Sequence, residues 1–198
     1  SSEMFGKASN TPQNESTPFN PRSIYGISKL ASYHLVKNYR DRYGIFTCTG
    51  ILYNHESPRR DFKFVTRKIT SAVAKIKLGL EKELYLGTLE SLRDWGYAPD
   101  YVLAMWLMLQ ESSPSDYVIS TGQNHSVRDF VQCAFNYVDL DYQEFVKLDP
   151  MFYRPPESVP LCGNSSKIQH ELGWQPTKTF EDIVFEMVEH DLKLFVNT

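Results

Sequence analysis

Two pairs of side chains have the spacing of an acid–base couple. Tyr25 and Lys29 stand four residues apart, and so do Tyr33 and Lys37. On a helix, residues at i and i+4 project from one face and can reach a shared site. An ammonium beside a phenol favours the phenolate, which can take a proton from a hydroxyl group while hydride leaves the same carbon. Spacing alone does not choose between the pairs. They are eight positions apart, so at about 100° per residue they point in directions roughly 80° apart, and one site cannot use both. Position favours Tyr25, which falls in the first helical turn behind the segment holding Pro12, Pro18 and Pro21, and loops tend to build sites. Just upstream stand Ser1, Ser2 and Glu3. A hydroxyl, a carboxylate, a phenol and an ammonium together can oxidise an alcohol and move a proton from the neighbouring carbon. The plain alternatives are an amphipathic core tyrosine with a solvated lysine, and a frayed polar stretch at Ser1–Glu3.

The elements that must hold these groups follow from periodicity and punctuation. A helix is predicted from Ser23 to Arg42, stopping near Gly44, and a buried strand over the β-branched and aromatic run Ile45–Leu52. Apolar positions at Phe64, Ile69, Val73 and Ile76 predict a helix over Phe64–Leu78, with Gly79 as its terminator. Leu84–Leu86 and Asp116–Ser120 are short strands. Pro99 opens a helix to Gln110, in which Tyr101–Leu109 is expected to be a buried face. Ser126-x-x-Asp129 resembles a capping box opening a helix to Tyr137. Further helices are expected over Ser165–Leu172, ended by Gly173, and over Thr179–Phe195. Strands alternating with helices give an α/β chain.

Composition sets the outer limits. The 198 residues are 41% hydrophobic, 23% charged and 14% aromatic, a balance that supports a packed core in a soluble chain. A net charge of −3 gives no footprint for nucleic acid, so any anionic ligand must be met by a few placed Arg and Lys. The longest apolar run, Tyr101–Leu109, is far short of the about 20 residues of a membrane span. Cys48, Cys133 and Cys162 form no C-x-x-C pair, which points to a reducing, cytoplasmic setting. His34, His125, His170 and His190 have no cysteine or carboxylate cluster beside them, so no metal site is expected.

Ser-Ser-Glu-Met-Phe-Gly followed by Pro-Arg-Ser-Ile-Tyr25-Gly-Ile-Ser-Lys29 resembles the extended short-chain dehydrogenase/reductases, and Glu3 after the two serines resembles their sugar-nucleotide dehydratases. Asn54-His55-Glu56-Ser57-Pro58-Arg59-Arg60, Phe64-Val65-Thr66-Arg67-Lys68 and Arg93-Asp94-Trp95-Gly96-Tyr97 are similar to the GDP-mannose 4,6-dehydratase family. So are Tyr153-Arg154-Pro155 with Glu157 and Leu172-Gly173-Trp174-x-Pro176. The resemblance runs in order along the whole chain.

It implies the following. The fold is the C-terminal part of a Rossmann-like parallel sheet domain with a smaller α/β substrate-binding lobe. Residues 1–52 end the NADP-binding domain and 53–198 form the lobe, with about 93–121 returning to the Rossmann sheet. The activity is conversion of GDP-mannose to GDP-4-keto-6-deoxymannose, a lyase reaction with an internal hydride cycle on NADP. Tyr25 is the base at the C4 hydroxyl, Ser1 binds the C4 oxygen, and Glu3 removes the C5 proton. Lys29 also holds the nicotinamide ribose, with His55 and Arg60 on the cofactor. Asn54, Lys68, Arg93 and Arg154 orient the sugar and diphosphate, and Glu157 takes the ribose hydroxyls. Asp61 departs from the family's glycine after Arg-Arg, and Asn164 from its aspartate.

No Gly-x-x-Gly-x-x-Gly loop, the usual seat of a dinucleotide pyrophosphate, occurs in the sequence. By resemblance the chain starts after about four or five of the family's strands, so it is expected to bind cofactor poorly alone and to associate with further copies through an uncovered apolar face. Two other readings stand beside this one: a related NADP-dependent dehydratase or reductase of another nucleotide sugar, and a non-catalytic GDP-sugar-binding fragment.

Overall fold

The computed structural model describes residues 1–153 and 159–196. In chain order its helices are α1 (Ile24–Tyr43), α2 (Val65–Lys77), α3 (Ala98–Met108), α4 (Val127–Tyr137), α5 (Tyr142–Phe145), α6 (Ser166–Leu172) and α7 (Phe180–Val196). Its strands are β1 (Thr49–Leu52), β2 (Asn54–Glu56), β3 (Leu84–Leu86), β4 (Leu92–Arg93), β5 (Trp95–Tyr97), β6 (Asp116–Ile119), β7 (His125–Ser126) and β8 (Val146–Leu148). The class is α/β, as expected. Among the described residues no helix is long and apolar enough to cross a membrane.

The chain divides into two compact units. The first comprises Ser1–His55, Arg93–Asn124 and the described part of 158–177. The second comprises Glu56–Leu92, the described part of 125–157, and Lys178 onward.

In the first unit, β1 and β6 pair in parallel, with Thr49 opposite Asp116 and Leu52 opposite Ile119. On one side of them lies a cluster of Met4, Phe5, Ile51, Tyr53, Val118 and Leu161, joined by Phe19 and Tyr33. A second cluster joins Tyr101, Ala104 and Met108 of α3 to Tyr117, Ile119, Ile168 and Trp174. Trp174 donates its indole N–H to the Asp100 carbonyl at 2.8 Å, and the Asp100 carboxylate accepts from the Thr177 amide and hydroxyl. This fastens the Leu-Gly-Trp-x-Pro turn to the start of α3.

The second unit packs α2 against α7 and α4, with β3 and β8 paired in parallel. Its apolar side chains include Ile69, Val73, Phe130, Ala134, Ile183 and Val188, all buried. The Ser126 hydroxyl accepts from the Asp129 amide at 3.0 Å, while the Asp129 carboxylate accepts from the Ser126 amide at 2.8 Å. The capping box read from the sequence is therefore formed, with Asp in place of Glu.

Two expectations need correction. The strand expected over Ile45–Leu52 begins only at Thr49, because its ladder partner β6 starts at Asp116 and offers nothing to residues 45–48. Tyr101–Leu109 is not a buried face. Only Tyr101, Ala104 and Met108 are buried, at i, i+3 and i+7, while Val102, Leu103, Met105, Trp106 and Leu109 are exposed. Within its unit α3 meets β5, β1 and α6, and among the described residues nothing buries the face formed by Val102, Leu103, Met105, Trp106 and Leu109.

Candidate active site

The site begins with a helix start. Ser23 is in extended conformation and accepts the Gly26 amide at 3.0 Å, so α1 opens with a satisfied cap. At its other end Gly44 sits at φ 64°, a left-handed terminator, with its amide on the Arg40 carbonyl. Gly26 is the only buried residue of α1. Its backbone lies so close to the turn Ser2–Met4 that a side-chain carbon there would meet the Glu3 carbonyl oxygen at 2.5 Å. A glycine at this position lets the first turn of α1 rest directly on the turn that carries Glu3.

That turn is fixed in its own right. The Ser1 hydroxyl accepts from the Glu3 amide at 3.3 Å, and Met4 and Phe5 are buried in the core below. Asn20 and residues 4–7 exchange backbone hydrogen bonds, Asn20 N to Met4 O at 3.1 Å and Lys7 N to Asn20 O at 2.9 Å. Gly6, at φ 52°, admits this approach. The polar segment between Glu3 and Tyr25 is bolted down by Gln13, whose side chain is fully buried. Its amide nitrogen donates to the Asn10 and Pro160 carbonyls, and its oxygen accepts from the Tyr53 hydroxyl at 2.8 Å and the Cys162 amide at 3.0 Å.

The structure thus brings Ser1, Glu3, Tyr25 and Lys29 together. The Lys29 ammonium stands 5.4 Å from the Tyr25 ring centroid, and the Tyr25 side chain is 54% exposed.

The second Tyr-x-x-x-Lys pair lies in different surroundings. The Tyr33 ring packs edge-on against Phe19 at 5.0 Å in the apolar core. Its phenol is pushed up by burial and then by the neighbouring Asp116 carboxylate, which also forms an ion pair with Arg40. Tyr33 is a packing residue with a polar tip.

Asn54, His55 and Arg93 also belong to the first unit. His55 Nδ1 is 2.9 Å from the Tyr53 carbonyl, which can only accept, so Nδ1 carries the proton; the ring stacks on Tyr101 at 4.9 Å. Arg93 ends β4, half-buried, beside Asp94. That carboxylate is 1% exposed and accepts four hydrogen bonds, from the Thr121 amide and hydroxyl and the Gly122 and Gly163 amides, at 2.7–3.1 Å. Burial still holds it above the usual carboxylate range. Gln13 and Asp94 escaped sequence reasoning because neither could act on substrate by type and spacing. The only available signal was that Asp94 follows Arg93 in a motif.

Arg60 and Lys68 belong to the second unit. The Arg60 guanidinium covers the Phe64 ring at 3.7 Å, and its Nε is 3.3 Å from the buried Glu56 carboxylate. Lys68, in the first turn of α2, stands 4.1 Å over the Phe152 ring at the wall of a cavity of about 730 Å³ that Phe62, Lys75, Tyr85 and Asp149 also line. Arg154 and Glu157 lie outside the described residues. Among the described residues no group of His, Cys, Asp and Glu could hold a metal ion.

The family model for GDP-mannose 4,6 dehydratase matches residues 1–187. GDP-mannose 4,6 dehydratase 2 of Arabidopsis thaliana is 51% identical over 98% of the chain, and GDP-mannose 4,6-dehydratase of Vibrio cholerae 43% identical over 98%. The chain spans 52% and 59% of their respective lengths, about half the length of the curated relatives it matches. Among solved structures, RMD from Pseudomonas aeruginosa complexed with NADPH superposes with a TM-score of 0.89 at 20% identity, covering 97% of this chain and 64% of that one. That likeness shows a Rossmann-like α/β fold. With the family model matching nearly its whole length, the chain belongs to the GDP-mannose 4,6-dehydratase family, a family of lyases.

Proposed function

We propose that this chain carries the catalytic tyrosine and much of the sugar-nucleotide site of an enzyme that converts GDP-mannose to GDP-4-keto-6-deoxymannose. The observation that carries the reading is the seating of Gly26 on Glu3, which sets the Tyr25–Lys29 turn against the Ser1–Glu3 turn.

In this reading the Tyr25 oxygen, with Lys29 beside the ring, takes the proton of the mannose C4 hydroxyl as hydride departs from C4. The Ser1 hydroxyl donates to the C4 oxygen and orients it. The resulting 4-ketone acidifies the C5–H bond. The Glu3 carboxylate accepts that proton and delivers it to the C6 hydroxyl, which leaves as water. Hydride returns to C6 while C5 takes up a proton, which balances the one Tyr25 accepted and resets the tyrosine, so the net change is loss of one water. A nicotinamide dinucleotide supplies the hydride acceptor and donor in this cycle, and we assign NADP rather than NAD from the resemblance. Tyr25 and Lys29 suit its nicotinamide ribose, since both are exposed side chains on one face of α1. His55 and Arg60 are assigned to the same cofactor. Asn54, Lys68, Arg93, Arg154 and Glu157 are assigned to the GDP-sugar. Self-association as a homo-oligomer belongs to the same reading.

The test is Tyr25→Phe in the full-length protein, assayed for turnover and, by calorimetry, for GDP-mannose affinity. Turnover should fall at least about 100-fold, the low end of general acid–base catalysis, with affinity unchanged. Near-full activity would remove Tyr25 as the base, and preferential binding of UDP-glucose would remove GDP-mannose as the substrate.

A further inference from the structure

Between β2 and α2 runs the loop 57–64, Ser-Pro-Arg-Arg-Asp-Phe-Lys-Phe, which presents Arg60. Its own bonds are all local: Arg60 N to Ser57 O at 3.0 Å, Phe64 N to Asp61 O at 3.1 Å, Arg59 N to Ser57 Oγ at 3.2 Å and Lys63 N to Asp61 Oδ1 at 3.0 Å, with an exposed Lys63–Asp61 ion pair. A further tie comes from outside it. Arg67, in the first turn of α2, is 4% exposed at its side chain, and Asp191 of α7 is 0% exposed. The Arg67 Nε donates to both Asp191 oxygens at 3.0 and 3.1 Å, and Nη2 donates to Oδ1 at 2.6 Å. The Thr70 hydroxyl donates to Oδ2 at 2.7 Å. One edge of the guanidinium is thus committed to α7. The remaining nitrogen, Nη1, donates to the Arg60 carbonyl at 3.3 Å, and the guanidinium carbon stands 4.4 Å from the Phe62 ring centroid. A planar fork held rigidly on one side makes a fixed anchor on the other.

We propose that Arg67 and Asp191 are positioning residues that act through Arg60: the buried pair latches the loop 57–64 and so sets where the Arg60 guanidinium is presented. The proposal rests on the reading that Arg60 serves the dinucleotide. Asp191 orients Arg67, Arg67 holds the Arg60 backbone, and Glu56 holds the Arg60 side chain. Lysine cannot replace Arg67, because one ammonium cannot grip the Asp191 carboxylate bidentately and reach the Arg60 carbonyl as well.

Arg67→Lys in this chain, followed by hydrogen exchange and mass spectrometry, tests the latch. Amides of 57–64 should exchange at least about tenfold faster, while α4 keeps its protection. Unchanged loop exchange, or equal acceleration in α4, overturns the latch. If Arg67→Lys fails to fold, the isosteric Asp191→Asn takes its place under the same criteria. In the full-length protein, Arg67→Lys and Arg60→Ala should each weaken NADP binding about tenfold, non-additively when combined, with GDP-mannose affinity within about twofold. Weakened NADP binding in Arg60→Ala but not in Arg67→Lys overturns positioning. If Arg60→Ala itself leaves NADP binding intact, the cofactor reading of Arg60 fails, and loop exchange alone decides the latch.

Discussion

A side-chain carbon on Gly26 would lie 2.5 Å from the Glu3 carbonyl oxygen and 3.1 Å from Cβ of Pro21. The first obstacle is backbone of the turn that carries the carboxylate and cannot swing aside; the second belongs to the loop that enters α1. Gly26→Ala should therefore push the Tyr25 turn away from Glu3, at a stability cost of about 1–3 kcal/mol for overpacking. Because a displacement of about 1 Å at reacting groups can cost on the order of 100-fold in rate, turnover in the full-length protein should fall well beyond the change in melting temperature. The comparison variant is Gly44→Ala, whose added carbon meets nothing within 4 Å, so that its cost is only the backbone strain of a left-handed φ of 64° far from Glu3. Equal kcat for both variants would show that the seat of α1 on Glu3 does not control the chemistry.

Tyr33→Phe separates the two Tyr-x-x-x-Lys pairs. The phenol of Tyr33 neighbours the Asp116 carboxylate, and its ring is packed on Phe19. Removing the hydroxyl keeps the ring packing, should cost no more than about 1.5 kcal/mol and should leave kcat within about twofold of wild type, on the reading that Tyr33 touches no substrate. A loss of turnover comparable to that of Tyr25→Phe would contradict that placement.

The contrast between these tyrosines shows what the sequence made legible. Helix limits were readable where a local signal exists, as at the Ser23 cap, Gly44, the Ser126–Asp129 box and Gly173, because each is decided within a few residues. Which tyrosine is buried depends on Phe19 and Asp116, and in sequence neither is near Tyr33. The same limit explains α3. Its run from Tyr101 to Leu109 is apolar enough to suggest full burial, yet Trp106 is 57% exposed, since burial depends on a neighbour and not on the helix itself. Strand Ile45–Leu52 was over-extended because ladder length is set by the partner. Supporting groups such as Gln13, Asp94 and Asp191 were invisible for a different reason: the importance of each lies in four side-chain bonds, nearly all to remote backbone and side chains, which no spacing rule encodes.

Asp94 gives a sharp case of such support. Its Oδ1 takes both Thr121 donors, and its Oδ2 takes the Gly122 and Gly163 amides. In Asp94→Asn, whichever way the amide is turned, its NH2 faces two donors, at least one of them a backbone N–H with nothing else to meet. Each buried unsatisfied group costs about 1–3 kcal/mol, so the variant should lose about 2–5 kcal/mol in denaturant unfolding. Arg93 adjoins this network at β4, so GDP-mannose affinity should fall with it. Asp94→Asn with wild-type stability would mean that the loop Thr121–Gln123 finds other partners.

Glu56 predicts a pH dependence with a definite sign. Its side chain is 1% exposed, and burial pushes its carboxyl up from the ordinary 4.5 to about 7, against the opposing pull of Arg60 and the Thr66 hydroxyl, which donates to it at 2.7 Å. A raised folded-state pKa means that between about 4.5 and 7 the native protein holds a proton the unfolded chain has released. Stability from this group is therefore full below pH 4.5 and declines as pH rises towards 7, by on the order of 3 kcal/mol in total. Glu56→Gln cannot titrate, so its unfolding free energy should fall less between pH 5 and pH 8, and its deficit relative to wild type should shrink or reverse at pH 8. Parallel pH profiles for the two proteins, measured by urea unfolding, would show that Glu56 is ionised throughout and that its ion pair with Arg60 outweighs its burial.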